Sequence, residues 1–357
     1  VKTSTFDAGL DLDILNGKFG LTIDYFQKNQ SGLLGTKIAT VPNTFGSTFP
    51  QENLNSDIYR GVDLSISQKN KIGDFEYGVT ANVTYSRKYL VYTEQAAYGS
   101  SMARWKNVYA DNRYLGSQFY FNYVGQFQNL KELETAPVYS STNGNSLMLP
   151  GSFKYQDMNG DGVIDDSDKV AQYWSGQTND YKTNPPLQFG LNLTGTWKGF
   201  DISVLLQGAA LFSRQVKQGD LFAISGRDVM SNLYVDRWHP TDPNADPYDY
   251  NTQWTSGKYC PLTNNAAYSN YNSSSMWTYS GDYLRIKTVD LGYTIPQKIT
   301  KKVGISSLRL YVNGNNLYTF CNPMVKAYDP EREEGDYTAN LTFPLMIAYN
   351  FGFNITF

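Results

Sequence analysis

The stretch that most constrains the fold of this chain is its last, from Pro344 to Phe357. Leu345, Ile347, Tyr349, Phe351, Phe353, Ile355 and Phe357 are apolar, whereas Met346, Ala348, Asn350, Gly352, Asn354 and Thr356 between them are mostly small or polar. Successive side chains of a strand project to opposite faces, so this segment makes one aliphatic and aromatic stripe and one small, polar face. A transmembrane barrel strand has this form: roughly ten residues, lipid on one side, lumen on the other, and aromatics at the membrane boundaries. A soluble sandwich strand can alternate in the same way, but seldom runs so long with so many rings.

Composition fits an all-β protein. Of 357 residues, 29 are Tyr and 30 are Gly, and only 18% are charged. The net charge of −3 argues against a nucleic-acid partner. No run of about eighteen apolar residues is present, which excludes a transmembrane helix and leaves a barrel open. The mean hydropathy of −0.46 is compatible with a barrel, because lipid-facing residues alternate with polar ones. The opening residues carry no initiator Met and no leader-like segment, so the sequence reads as a piece of a longer chain. Cys260 and Cys321 lie in loop-like sequence and suit either a bridge or two free thiols.

Nine segments alternate like the last one. Phe6 to Ile14 leads through Asn16-Gly17, a pair that tolerates the positive φ of a tight hairpin, to Phe19–Tyr25. Val62–Ile66 turns at residues 69–74 into Phe75–Tyr85; Leu187–Trp197 turns at Lys198-Gly199 into Phe200–Leu206; Tyr283–Tyr293 and Leu308–Leu317 flank Pro296; the terminal strand follows. Short connections alternate with long ones at 29–56, 87–184, 211–281 and 320–343, the asymmetry of short periplasmic turns and long external loops. The strand-like stretch Phe119–Phe127 is expected to pair within the external region and not in the wall. Nine strands do not complete a bacterial barrel, whose strand number is even and whose edges cannot face lipid.

Along this frame lie Arg60-Gly61-Val62-Asp63-Leu64, Lys198-Gly199-Phe200-Asp201, Arg237-Trp238-His239-Pro240, Tyr283-Leu284-Arg285-Ile286-Lys287, Leu291-Gly292-Tyr293-Thr294-Ile295-Pro296, Val312-Asn313-Gly314-Asn315-Asn316-Leu317 and Tyr328-Asp329-Pro330-Glu331. Together and in this order they resemble the SusC/RagA-type TonB-dependent outer-membrane transporters of Bacteroidota. His239, where the family usually has Thr, and Asp63, where it often has Glu, depart from the pattern. The resemblance implies an outer-membrane barrel of about 22 strands, of which this chain is the C-terminal part. It implies import of oligosaccharides or peptides beneath a SusD-like surface lipoprotein, driven by the TonB complex through a plug that lies upstream. The competing reading is a surface adhesin or glycan-binding β protein that does not transport.

One local motif carries its own chemistry. In Asp157-Met158-Asn159-Gly160-Asp161-Gly162-Val163-Ile164-Asp165-Asp166-Ser167-Asp168, oxygens recur at positions 1, 3, 5, 9 and 12 of a calcium loop. Val163 offers its carbonyl, Gly162 takes the sharp turn and Ile164 faces inward. The expected ligands of a structural Ca2+ are Asp157, Asn159, Asp161, Val163, Asp165 and Asp168; the plainer reading is a solvated Asp/Asn/Gly turn. Trp105, Trp174, Trp238, Trp254 and Trp277 are candidates to meet substrate or lid, against the alternative that they pack the loops together. Trp197 and Phe357 are expected in the membrane girdle, in contact with outer-membrane lipid. Tyr328-Asp329-Pro330-Glu331 is expected to shape an external loop, with the acids capping its turn. His239 is the single histidine, and no catalytic arrangement, zinc spacing or phosphate loop is apparent, so no enzyme is expected.

Overall fold

The computed structural model describes every residue except 39–43, 45–49, 108, 140–143, 173–184, 216–231, 263–272, 327–328 and 332–344. Nine long strands stand side by side: β1 (Lys2–Ile14), β2 (Phe19–Thr36), β3 (Gln51–Ile72), β4 (Phe75–Tyr92), β5 (Leu187–Trp197), β6 (Phe200–Ala210), β7 (Tyr283–Thr294), β8 (Ser307–Cys321) and β9 (Ala348–Thr356). They are neighbours in chain order and antiparallel throughout.

At one end the connections are tight. Leu15, Asn16 and Gly17 all take positive φ between β1 and β2, as do Lys198 (48°) and Gly199 (91°) between β5 and β6. Two consecutive left-handed residues match the twist of the strands they join, which is why Asn-Gly and Lys-Gly stand there. The β3–β4 turn is shorter than the sequence suggests. Its strands close to Ile72 and Phe75, leaving Gly73 and Asp74 between them.

Cross-strand register turns local alternation into two chemically distinct faces. Near the tight turns one row of partners runs Phe353, Leu310, Tyr293, Phe200, Trp197, Phe75, Ile72, from β9 to β3. Higher on the same face, Leu10, Ile23, Leu64, Val83 and Phe189 are successive partners on β1 to β5. Gln68 and Asn70, beside the β3–β4 turn, interrupt this outward face. The opposite face reads Asp11, Thr22, Ser65, Asn82, Gly190, Gln207, Arg285, Thr319 across eight strands.

The apolar face is uncovered: Phe351 is 79% exposed and Phe353 65%. Burial of each such ring stabilises by roughly 1.5–3 kcal/mol, so a face of this extent calls for an apolar surrounding. Its height suits a bilayer. From Trp197 to Leu187 every outward residue of β5 is apolar or glycine, ten steps of ~3.3 Å, or about 25 Å upright at a ~40° tilt.

At the other end the strands outrun the expected loops. Residues 29–36 and 51–56, expected within the 29–56 loop, instead continue β2 and β3, and β4 extends to Tyr92. These extensions stand above the apolar face, where the apolar and polar alternation stops, so their strand character is invisible to a two-residue period. The long connections therefore run 37–50, 93–186, 211–282 and 322–347.

Two of these connections fold together. As expected, residues 119–127 stay out of the wall: Gln118–Tyr120 pairs with Val170–Gln172, and Tyr123–Gln126 with Phe153–Tyr155. Phe121 exchanges backbone hydrogen bonds with Ser273 and Ser275 of the 211–282 connection, at 3.0 Å each. One core results. Phe121, Tyr139, Phe153, Tyr155, Cys260 and Trp277 pack in it, with Tyr139 Oη donating to the Phe153 carbonyl and accepting from the Tyr155 N–H.

Candidate functional site

The polar face of the sheet and the folded external connections above it form the surface where chemistry can occur. The polar face is cross-linked by ions. Arg309 of β8 reaches Asp201 of β6, its Nε 3.0 and 3.1 Å from the two carboxylate oxygens, and also holds Asp290 of β7. Gly292 makes room for this guanidinium, since a Cβ there would stand 2.4 Å from Arg309 Nε. Near the upper end Lys88 holds the buried Asp57 at 2.6 Å.

At the mouth, Arg285 is 2% exposed. Its Nε donates to Thr319 at 2.8 Å, and its terminal nitrogens pair with Asp329 at 2.7 Å and Glu331 at 2.9 Å. Arg214, also buried, donates to the Pro330 carbonyl at 2.8 Å. Asp329 takes a left-handed φ of 66° and accepts from the Glu331 N–H, so it caps its own turn. The 329–331 segment is thus pinned by its acids and a carbonyl to the polar face. Tyr328 lies outside the described residues. A cavity of about 470 Å³ opens beside this segment, lined by Asn82, Gln188, Gln207, Arg214, Tyr283 and Glu331. Amides and a phenol with few charges suit a neutral, polar, hydrogen-bonding ligand.

The aspartate loop sits at the surface of the external core, which it enters through Ile164. Ile164 is buried, and Val163–Ile164 pairs in parallel with Val138–Tyr139. Asp157 accepts from the Gly160 and Gly162 N–H groups at 2.7 and 2.9 Å, Asp161 from Val163, and Asp165 from Ser167. Asp168, fully buried, accepts from Met158 and Asp165, which ties the end of the loop to its start. Asn159 donates its amide to Asp161. Among the described residues no three acidic, His or Cys side chains converge into a cation cluster. The carboxylate oxygens named here are turned to backbone N–H groups of the loop itself.

The tryptophans divide. Trp277 (1% exposed) and Trp238 (6%) are buried, Trp277 packing against Phe153 and Tyr259. Trp277 belongs to the external core and Trp238 lies close over Gly151, so neither presents an open ring face; aromatics in irregular segments have no periodicity that would tell core from surface. Trp105 is 58% exposed on the helix Ser101–Lys106, edge-on to Phe119 and 5.3 Å from Arg113. The next residue, Lys106, donates to the Asp166 carbonyl at 3.1 Å, which sets Trp105 beside the aspartate loop. Trp254 is partly exposed, on a short strand pairing with His239–Pro240. Trp174 lies outside the described residues. Trp197 and Phe357 are exposed, Trp197 on the apolar row at the tight-turn end and Phe357 just beyond β9. Sequence reading assigned no role to Arg214, Thr319 or Asp201, whose contacts depend on register.

Both cysteines are free thiols: Cys260 is buried in the external core and Cys321 ends β8. Burial pushes the Cys260 thiol up to about 12. His239 is half-buried, and its Nδ1 lies 2.8 Å from the Pro240 carbonyl, a fold contact.

Comparison with known proteins extends these observations. The chain matches no family model. It is 23% identical to TonB-dependent receptor P3 of Formosa agariphila over 373 residues, covering 98% of this chain and 34% of that protein. To TonB-dependent receptor SusC of Bacteroides thetaiotaomicron it is 26% identical over 383 residues, covering 98% of this chain and 32% of that one. Among solved structures it resembles the RagAB peptide importer in its open-open state, with a TM-score of 0.60 at 16% identity over 92% of this chain and 32% of that chain. The chain spans about a third of the length of these relatives.

Proposed function

We propose, from its likeness to SusC/RagA-type TonB-dependent receptors, that this chain forms the C-terminal wall, mouth and external cap of an outer-membrane nutrient importer. The observation that carries this reading is the two-faced nine-stranded sheet, apolar outside and polar within, with tight turns at one end and long connections at the other. Both β1 and β9 are unpaired edges of the described sheet. An edge in hydrocarbon leaves N–H and C=O groups unsatisfied at several kcal/mol each, so further strands of the whole protein, to a total of about 22, would close the barrel. The plug and the segment that meets the TonB complex belong to the same remainder.

In this reading substrate is captured on the external side, in a space bounded by the folded connections and a SusD-like lipoprotein, and passes inward along the polar face once the plug is pulled. Oligosaccharides and peptides both suit the amides and phenol at the mouth. Trp105 and Trp254, the more accessible of the described candidates, offer rings to substrate or lipoprotein. Ca2+ held by Asp157, Asn159, Asp161, Asp165 and Asp168 with the Val163 carbonyl would stiffen the external cap beside Trp105. The resemblance to receptors and importers favours transport over catalysis.

Intact-complex mass spectrometry after mild detergent extraction of outer membranes tests the proposal. The expected result is a chain extended by a plug, together with a lipoprotein. A chain of this length alone would overturn it and favour the non-transporting adhesin reading.

A further inference from the structure

The connection between β7 and β8, residues 295–306, carries Lys298, Lys301 and Lys302 and no acidic residue. It folds as one helical turn, Gln297–Thr300, continued by the 3-10 turn Lys301–Val303, and Gly304 ends it at a left-handed φ of 76°. Thr300, 2% exposed, marks the side that meets the fold, and its carbonyl accepts from the Ile305 N–H at 3.1 Å. Ile299 and Val303 stand at helical spacing on one side of the turn and are 60% and 72% exposed. Two of the other tight turns hold cations in ion pairs: Lys71 meets Glu76 at 2.5 Å, and Lys198 meets Asp74 at 3.6 Å. Among the described residues no carboxylate pairs with Lys298, Lys301 or Lys302, all of which are exposed.

This connection leaves the sheet where the apolar face ends. Tyr293 and Phe200, cross-strand partners with ring centres 4.5 Å apart, belong to the apolar row nearest the tight turns. Beyond them the Thr294 N–H donates to Gly199 at 2.7 Å and the Ile295 N–H to Leu308 at 2.9 Å, which holds the start of the connection against the wall. The helical turn begins at Gln297, at most ~13 Å of extended chain past Tyr293. At that height hydrocarbon gives way to headgroups. We propose that this turn anchors the wall in the inner leaflet of the outer membrane, with Ile299 and Val303 among the acyl chains and the three lysines on headgroup phosphates, anionic phospholipid being preferred. Exposed aliphatic side chains beside cations are the pattern of an interfacial segment, and a lysine stem lies along apolar surface while its ammonium reaches the phosphate. Two observations select lipid as the occupant: the patch continues an apolar face already turned outward, and its uncompensated positive charge complements phosphate. This rests on the membrane-spanning reading given above.

The test is quenching of a bimane label in the full-length receptor carrying Cys260→Ala and Cys321→Ala, in phosphatidylcholine nanodiscs with a minor fraction of phosphatidylglycerol. The label is placed at Ile299→Cys, at Val303→Cys or, as a reference on the apolar face, at Phe353→Cys. Nitroxide-bearing phospholipid quenches from the bilayer and acrylamide from water. Labels at 299 and 303 are expected to be quenched by the lipid and protected from acrylamide. The nitroxide should be enriched around them at least about fivefold when carried on phosphatidylglycerol instead of phosphatidylcholine, the worth of one lysine at an anionic surface. Lys298→Gln/Lys301→Gln/Lys302→Gln should bring that ratio to about one, with heat-modifiable electrophoretic mobility reporting an intact barrel. Labels open to acrylamide, or shielded from both quenchers by another part of the receptor, overturn the proposal. So does equal quenching by the two lipids in the wild type, or an unchanged ratio in the glutamine variant. If the label at 353 also escapes the lipid quencher, the membrane reading itself fails; if 353 is quenched and 299 and 303 are not, the anchor alone fails.

Discussion

The Arg285 guanidinium of β7 holds the Asp329 carboxylate of the last long connection at 2.7 Å, and because Arg285 is 2% exposed, little water screens this pair. A wall strand and an external loop are thereby joined by charge. Arg285→Met leaves Asp329 and Glu331 facing a neutral side chain in a desolvated mouth. Breaking one partner out of a buried ion pair costs about 3–5 kcal/mol. The variant should show an earlier thermal transition of the external region, seen by Trp fluorescence, while heat-modifiable mobility reports an intact barrel. An unchanged transition would show that the pair does not secure the loop.

Trp277 and Trp105 should separate stability from recognition. Truncating the buried ring in Trp277→Ala opens a cavity in the core shared by the two large connections, at about 3–5 kcal/mol. Trp105→Ala removes an exposed ring and should change stability by no more than about 0.5 kcal/mol. If Trp105 meets substrate or lipoprotein, its variant loses affinity in calorimetry with the native ligand or partner, whereas its melting curve stays in place.

The aspartate loop is expected to respond to calcium. A site filled at a hundred times its dissociation constant adds about 2.7 kcal/mol to the state that binds. Millimolar Ca2+ should raise the melting temperature of the external region, chelation should lower it, and Asp157→Asn with Asp161→Asn should abolish the difference. Asp168→Asn tests another property: its buried oxygens accept the Met158 and Asp165 N–H groups, so that variant weakens the loop with or without the ion.

The Cys260 thiol provides a pH-dependent probe. Its folded value of about 12 lies above the ordinary value of 9.0 because burial disfavours the thiolate. The folded protein therefore keeps the thiol protonated where the unfolded chain would ionise it. This contribution to stability is full below pH 9 and lost as the pH climbs from 9 toward 12. At pH 8 the folded thiolate population is about a thousandfold below that of an ordinary cysteine, so alkylation of Cys260 should wait for unfolding. Rapid labelling of Cys260 in the folded protein would contradict the packing described for the external core.

How far the sequence reveals this structure follows from where lipid enforces a pattern. Along Tyr349, Phe351 and Phe353 the two-residue period is set by an apolar medium on one side, and the strand can be read residue by residue. Above the apolar face that constraint ends, and Asn29–Thr36 and Gln51–Ser56 look like loop although they pair as strand. The external core is opaque for a related reason: Trp277 and Trp105 sit in equally irregular sequence, yet one is buried and the other exposed, a distinction set by contacts between connections more than a hundred residues apart. The ion pair Arg309–Asp201 depends on register between strands, and Arg285–Asp329 on how a connection folds back over the sheet, neither of which a single segment encodes. The aspartate loop stands between these cases. Its turn geometry and the inward Ile164 are legible, whereas ion occupancy is a matter for titration.

The central claim is that β9 stands in a bilayer with one face to lipid. Cysteine scanning from Tyr349 to Asn354 in the full-length receptor, on a background lacking Cys260 and Cys321, followed by spin labelling in membranes, measures it directly. Labels at 349, 351 and 353 should collide with oxygen dissolved in lipid, and labels at 350, 352 and 354 with a water-soluble nickel complex, alternating residue by residue. Equal access of the nickel complex to both sets would place both faces in water, and the account of this chain as a membrane wall would fail.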